Sequence, residues 1–365
     1  MKIVIITPFW LPTKGGITTV VYNLYNELKL KGVPVYILTP DKGEEAIIIS
    51  KNKFFMILDI IKFLHKIKPD VIHVHAHGSL LLPAVLYKIL FNSRQKVIFT
   101  FHTQPQTFSY IKGKPTKERN LVQLYLLNLL LRKCDYTTCV SKSLRDSLNK
   151  TGVKLINSVI IPNGVSIKNV SQEELLAFKH LYNLESNYPI LGMVANLSWD
   201  GKIEGIKILI KAFKEVLTFE SKARLLIIGD GQYRKYLEDY VENKMNLKGK
   251  IIFTGNMENP FIALSILDIY CHISLNEALG IAPLEAMSIG KPVIASNTGG
   301  LPEFIENGFN GILVDSKPDS IANAILRLIK NPSLVSWLSK NAVETTRLKF
   351  SWEKITTKYL ELYEN

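Results

Sequence analysis

Short apolar, β-branched runs alternate with helical stretches along the whole chain. In the first half the runs are KIVIIT (2–7), PVYILT (34–39), VIHVH (71–75), KVIFTFH (96–102), YTTCV (136–140) and SVIIP (158–162). In the second half they are ILGMVAN (190–196), RLLIIG (224–229), IIFTG (251–255), IYCHIS (269–274), PVIAS (292–296) and GILVD (311–315). Between them, 17–31, 53–67, 120–133, 204–218, 232–244 and 320–330 carry apolar residues at helical spacing. Strands this continuously apolar are buried on both faces, so the alternation predicts parallel sheets with helices on each side. The pattern restarts after IPNGV (161–165), where Asn163-Gly164 signals a turn. The expectation is an α/β chain of two doubly wound, Rossmann-like domains, 1–165 and 166–345, followed by 346–365. Such sheets bind ligands outside the carboxyl ends of their strands, which for two facing domains means the cleft between them.

Composition narrows the class. At 365 residues, 47% hydrophobic and 21% charged, the chain reads as soluble, with material for two cores. Cys134, Cys139 and Cys271 form no closely spaced chelating pattern and no disulfide framework, which fits a reducing cytosol. The opening MKIVIITPFWLP meets proline too soon for a signal peptide and reads as a buried first strand. The longest apolar runs, such as LLLPAVLYKILF and LVQLYLLNLLL, fall short of the ~20 residues that span a bilayer. Charge is uneven. Residues 1–165 hold 23 Lys and Arg against 9 Asp and Glu, a surplus of +14, while 166–365 hold 22 against 23, a balance of −1. An anionic partner, nucleic acid or a membrane surface, is therefore expected on the first half.

The chemistry concentrates in NEALGIAPLEAMSIGKPVIA (276–295). Glu277 lies in the loop after the strand IYCHIS. Gly280 permits close backbone approach, and Pro283 suits the first turn of a helix running to about Ile289. A helix N-terminus with free N–H groups is a ready anion site, and Glu285 is expected in its first turn. A carboxylate on each side of an anion-binding turn suits a ligand with phosphate in the middle and hydroxyls at both ends, as in a nucleotide sugar. Glutamate near a helix N-terminus also favours the macrodipole without any ligand. It is the pair, with its flanking Gly and Pro, that carries the signal.

The pattern S-x-x-E-x-x-G-x-x-x-x-E-A-M-x-x-G-x-P-V-I-A-S-x-x-G-G-x-P-E (274–303) closely resembles the donor-site signature of the GT4-type retaining glycosyltransferases, which have the GT-B fold. The likeness extends to PTKGG (12–16), DVIHVH, TFHT, VSKSL, IPNGV, GDGQYRKYLE and GGLPEFIENGFNGILV, nearly the whole chain. It implies that Glu277 contacts the hydroxyls of the donor sugar, that Glu285 holds the ribose, and that the N–H groups of Leu279, Gly280 and Ile281 face the sugar and diphosphate. It also implies that Gly15 and Gly16 approach the diphosphate from the first domain, that His102 in TFHT lies beside the sugar and helps catalysis, and that the last helix packs back on the first domain. The family usually has Arg and Lys on the diphosphate. Here Asn196 stands at the first position and Lys202 is the candidate for the second, in a loop (198–205) that reads as lengthened. Base contacts are expected near 253–256 and 229–232, with uridine favoured.

The resemblance implies a retaining hexosyltransferase whose donor is a nucleoside-diphosphate sugar, UDP-sugar first and UDP-glucose among the candidates, with no cofactor and no metal. The run HVHAH puts His73, His75 and His77 on one strand face, where a metal is the lesser reading, and no D-x-D occurs. The alternatives are an epimerase of the same fold or a glycosyltransferase acting on a soluble acceptor. Asp41 after the second strand would suit a dinucleotide enzyme, but G-x-G-x-x-G is absent. No nucleic-acid module is recognisable, so no nucleic-acid partner is expected. The surplus charge gathers in 50–68 and 110–133, and the loop residues Lys112, Lys114, Lys117 and Arg119 are the acceptor or membrane candidates. A cytoplasmic enzyme, peripheral on an anionic membrane and extending a lipid-linked or glycan acceptor, is the resulting expectation.

Overall fold

The structure, a computed structural model, describes residues 1–11, 15–76, 78–91, 94–103 and 117–365, with the backbone alone at 117–120. The chain divides into two units, Met1–Gly164 with Trp352–Asn365, and Val165–Ser351. The first unit runs β1 (Ile3–Ile6), α1 (Gly16–Leu30), β2 (Val35–Thr39), β3 (Ala46–Ile48), α2 (Lys53–Ile67), β4 (Val71–His75), α3 (Gly78–Leu90), β5 (Lys96–Phe101), α4 (Lys117–Leu131), β6 (Tyr136–Cys139), α5 (Lys142–Lys150) and β7 (Val159–Ile160). Its strands pair in parallel in the order β3-β2-β1-β4-β5-β6-β7. All four residues of β1 are fully buried, as a central strand covered on both faces requires. Helix starts are chemically marked: Asn52 accepts from the N–H groups of Phe54 and Phe55 at the head of α2, and Ser141 caps α5.

The second unit contains α6 (Gln172–Leu181), β8 (Ile190–Val194), α7 (Asp200–Val216), β9 (Arg224–Ile228), α8 (Arg234–Asp239), β10 (Ile251–Gly255), α9 (Pro260–Ile266), β11 (Ile269–His272), α10 (Ile281–Ser288), β12 (Val293–Ser296), β13 (Ile312–Val314), α11 (Pro318–Ile329) and α12 (Pro332–Lys349). Its sheet is parallel in the order β10-β9-β8-β11-β12-β13. Ser171 and Glu174 form a capping box on α6. Ile206, Leu209, Ile210 and Phe213 of α7 pack into a core with Leu191, Met193, Leu225 and Ile227.

In each sheet the strand order reverses once, between β1 and β4 and between β8 and β11. Loops leaving the two strands on either side of a reversal diverge and open a crevice at their carboxyl ends, so each unit has one predictable ligand position.

Two expectations need correction. The terminal segment that joins the first unit begins at Trp352 with α13 (Trp352–Glu364), not at 346, because α12 continues to Lys349. Phe350 and Ser351 stay with the second unit, where the N–H of Val165 donates to the carbonyl of Phe350 at 2.8 Å and Val165 bridges Ser351. The stretch 198–205 is no lengthened loop, since α7 starts at Asp200. The strand β3 was not apparent in the sequence pattern. Among the described residues no helix is long and apolar enough to cross a membrane.

Candidate active site

The crevice of the second unit is built from the loop after β8, the first turn of α7 and the loop from β11 to α10. Gly205 lets α7 approach: a side chain there would strike the carbonyl of Ile273, 2.1 Å from the position of its Cβ. That approach brings Lys202, in the first turn of α7, onto Glu277 in the β11–α10 loop. Lys202 Nζ and His272 Nε2 both engage Glu277 Oε2, His272 at 2.8 Å. The other ring nitrogen of His272, Nδ1, meets the Tyr270 hydroxyl at 3.1 Å, and that hydroxyl in turn receives the N–H of Val194 at 3.4 Å. Among the described residues nothing bonds Glu277 Oε1.

Electrostatics separates the two glutamates. Burial alone raises the carboxyl of Glu277, but the Lys202 ammonium and the His272 hydrogen bond outweigh it and bring the pKa to about 2. Glu277 is a fixed anion. Glu285 lies on α10 in its second turn, not the first, because the helix begins at Ile281. Burial drives its pKa up to about 7, Lys168 opposing only in part, and among the described residues no group hydrogen-bonds its carboxylate. Both carboxylates act on the buried hydroxyl of Tyr270, which burial pushes well above the usual phenol range.

Gly280, at φ +94°, precedes α10, and no side chain caps the first N–H groups of the helix. Leu279 is buried beneath the turn and Ile281 is the first helical residue. The backbone of Gly299, at φ +57°, lies so close to Glu277 that a Cβ would sit 2.0 Å from its carbonyl oxygen. The N–H of Gly300 donates to that same oxygen at 3.0 Å. The Gly-Gly pair thus fixes the path of the Glu277 loop. Asn196, just after β8, is exposed, and its Oδ1 accepts from the N–H of Ser198 at 2.9 Å. At the expected base contacts, Arg234 braces two loops, pairing with Asp230 at 3.2 Å and donating to the carbonyl of Phe253 at 3.2 Å.

In the first unit, His102 lies just past β5 and is buried. Its Nε2 meets His75 Nδ1 at 2.8 Å, while His73 spends both nitrogens on the Tyr363 hydroxyl (2.7 Å) and Thr100 Oγ1 (2.6 Å). Among the described residues His75 Nε2 is buried without a partner. An orphaned lone pair costs less than an orphaned N–H, so His75 donates from Nδ1 and His102 carries its own proton on Nδ1. Burial lowers His73 to about 3 and His102 to about 4, so both are neutral at pH 7. Gly15 caps α1 and Gly16 opens it, both exposed, and a Cβ on Gly15 would meet no atom within 4 Å. Packing therefore does not demand glycine at 15. Asp41, the candidate ribose ligand of a dinucleotide enzyme, accepts the N–H of Trp10 at 3.2 Å.

Of the residues singled out from sequence, the fold joins Lys202 to Glu277, two groups expected on different parts of a donor. It places Leu279, Gly280, Ile281 and Glu285 on the adjoining turn and helix. His77, Lys112 and Lys114 lie outside the described residues. Lys117 and Arg119 open α4, where only the backbone is described. His272 and Tyr270 were missed. The signal was present: two polar rings, two positions apart, on a strand otherwise as apolar as its neighbours, five residues before Glu277.

Two family models match the chain, one described as Glycosyltransferase Family 4 over residues 14–169 and one as Glycosyl transferases group 1 over 178–345. The chain is a GT4-type glycosyltransferase with the GT-B fold. The family includes the α-monoglucosyldiacylglycerol synthase of Acholeplasma laidlawii, which is 26% identical over 95% of this chain and 93% of its own length. The N-acetyl-α-D-glucosaminyl L-malate synthase of Bacillus anthracis is 25% identical over 80% of this chain and 74% of its own. HepE of Anabaena, solved in complex with UDP, shares the fold with a TM-score of 0.77 at 20% identity, each chain covered in full.

Proposed function

We propose that this glycosyltransferase moves a hexose, with retention of anomeric configuration and without a resident metal, from a UDP-sugar to a lipid-linked or glycan acceptor at the cytoplasmic face of a membrane. The observation that carries the donor half is Glu277, an ionised carboxylate anchored through one oxygen by Lys202 and His272, with its other oxygen unbonded among the described residues, in the loop that leads to an uncapped helix. Oε1 accepts from the sugar hydroxyls, and the carboxylate of Glu285 accepts from the ribose. The N-terminus of α10 and Lys202 offset the charge that develops on the leaving diphosphate, which is where electrostatic stabilisation matters most. The leaving phosphate oxygen takes the acceptor's proton on the same face, so no carboxylate acts as nucleophile. Gly15 and Gly16 leave room for the diphosphate on the first unit, and the Nδ1–H of His102 donates to the sugar. Uridine is favoured because HepE, of the same fold, is solved with UDP and with UDP-glucose.

The acceptor half rests on the first unit. The relatives named α-monoglucosyldiacylglycerol synthase carry the name of a glucosylated lipid. Helix α4 exposes Leu121, Val122, Tyr125 and Leu126 along one side, and α2 exposes Phe54 and Phe55. These apolar residues belong to the unit with the +14 surplus of residues 1–165, the combination that settles on anionic lipid. The relative named N-acetyl-α-D-glucosaminyl L-malate synthase favours a second reading, a soluble anionic acceptor.

Two measurements test the proposal. UDP-glucose is expected to raise the melting temperature more than GDP- or ADP-sugars do; no shift with UDP or any UDP-sugar would remove the donor assignment. Co-sedimentation is expected with anionic vesicles at low salt. It should weaken as salt rises and when Lys112, Lys114, Lys117 and Arg119 are neutralised. Equal recovery in the supernatant with neutral and anionic vesicles would leave the soluble acceptor.

A further inference from the structure

We propose that His272 is a positioning residue for Glu277, held as its Nε2–H tautomer by the Tyr270 hydroxyl so that it pins one carboxylate oxygen and aims the other at the donor sugar. The inference rests on the donor reading above but adds two residues to it.

The proton order follows from the contacts. The Tyr270 hydroxyl already accepts the N–H of Val194, and its single proton points to His272 Nδ1 at 3.1 Å. With Nδ1 accepting, the ring's proton is on Nε2, facing Glu277 Oε2 at 2.8 Å. The opposite tautomer would set a lone pair against a carboxylate oxygen at that distance, and Lys202 Nζ, 3.4 Å from the ring nitrogen, is already committed to the same oxygen. A doubly protonated ring is disfavoured by burial first and by the Lys202 ammonium second, with Glu277 opposing them. His272 and Tyr270 are 2% and 0% exposed, so water does not scramble the arrangement. The sequence Val194 N–H to Tyr270 to His272 to Glu277 therefore runs in one direction, from the strand backbone to the crevice.

Lys202 alone would hold Glu277 less definitely, because an ammonium on a flexible stem does not fix a carboxylate plane. The ring on β11 supplies what the lysine lacks, a donor on a rigid strand. It also leaves Lys202 able to turn to a diphosphate without releasing Glu277.

The test uses the full chain in three variants, with UDP-glucose hydrolysis as turnover and calorimetric UDP binding as control. His272→Leu is expected to lower kcat about 10- to 100-fold, the range for a hydrogen bond to a charged group, with the Kd for UDP within about threefold of native. His272→Gln, whose amide N–H reaches the position of Nε2, is expected to recover to within about fivefold of native. Tyr270→Phe should fall between them. Histidine ¹⁵N NMR of the native chain at pH 7, assigned against His272→Gln, should show His272 as the Nε2–H tautomer, and Tyr270→Phe should mix the tautomers. A Leu variant within about twofold of native, a Gln variant no better than Leu, or a native Nδ1–H or imidazolium ring would overturn the proposal. A native chain that binds no UDP and hydrolyses no UDP-glucose would sink the donor reading instead, and the NMR result would still decide the tautomer.

Discussion

Each unit keeps a cluster with buried histidine near the carboxyl ends of its sheet, three rings in the first and one in the second, and the difference that matters between them is charge. In the first, His73, His75 and His102 meet one another and neutral hydroxyls, and burial keeps them neutral. In the second, a single buried histidine abuts an ion pair that is partly open to solvent, the side chains of Lys202 and Glu277 being 21% and 14% exposed. Burial depresses the histidines of both clusters, so a depressed pKa does not distinguish them. What does is whether the ring ends on a group that a ligand can reach. The neutral cluster ends on α13 at one side and on His102 at the other, so most of it serves folding. The charged cluster ends on Glu277, so it serves chemistry.

The comparison can be broken most forcefully at Glu277. Glu277→Ala is expected to lose roughly 2–4 kcal/mol of transition-state stabilisation in steady-state transfer. UDP affinity should not weaken, because Lys202 is released from its carboxylate. Near-normal transfer would place the chemistry elsewhere. The next largest effect belongs to the neutral cluster. Tyr363→Phe strips His73 Nδ1 of its partner in a buried site, at a cost of about 1–3 kcal/mol in urea unfolding, with UDP affinity unchanged. A loss of UDP binding without a loss of stability would reverse the roles assigned to the clusters.

A smaller effect sharpens the contrast between the two glutamates. The folded-state pKa of Glu285 is raised to about 7, so its carboxylate is protonated below that pH and accepts poorly from a ribose. UDP affinity should therefore rise with pH through about 7, by about tenfold between pH 6 and 8 as one titrating group allows, and Glu285→Gln should flatten the profile. Glu277, brought to about 2, should contribute no such dependence in that window. In stability, the Glu277 ion pair contributes above the ordinary carboxylate pKa, and that contribution is lost as pH falls through about 2.

Much of this was legible in the sequence, and the failures have physical reasons. The parallel strands stood out because doubly covered strands are continuously apolar, and Gly280 with Pro283 marked the turn before α10. Pro283 does lie in the first turn of α10, third after Ile281 and Ala282; Glu285, the fifth residue, falls in the second turn because the helix begins no earlier than Ile281. The first turn of α7 looked like loop because Gly201 and Gly205 punctuate it; Gly205 is there for close packing on β11, not for a turn. β3 is only Ala46–Ile48, too short to show a period. The pairing of Lys202 with Glu277 spans 75 residues and joins the first turn of α7 to the β11–α10 loop, so only the strand order could reveal it.

The last helix has a consequence for the order of events in the cell. His73 finds its partner Tyr363 290 residues later, and α13 packs on α1 within the unit that opens the chain. A ribosome moving from the N-terminus finishes every strand of that sheet long before it makes the helix, while the second unit is contiguous and emerges whole. The first domain begun is thus completed after the second: until Trp352–Asn365 emerges, its buried histidine face waits for a cover. A nascent chain stalled before Trp352 would carry one finished domain and one open sheet.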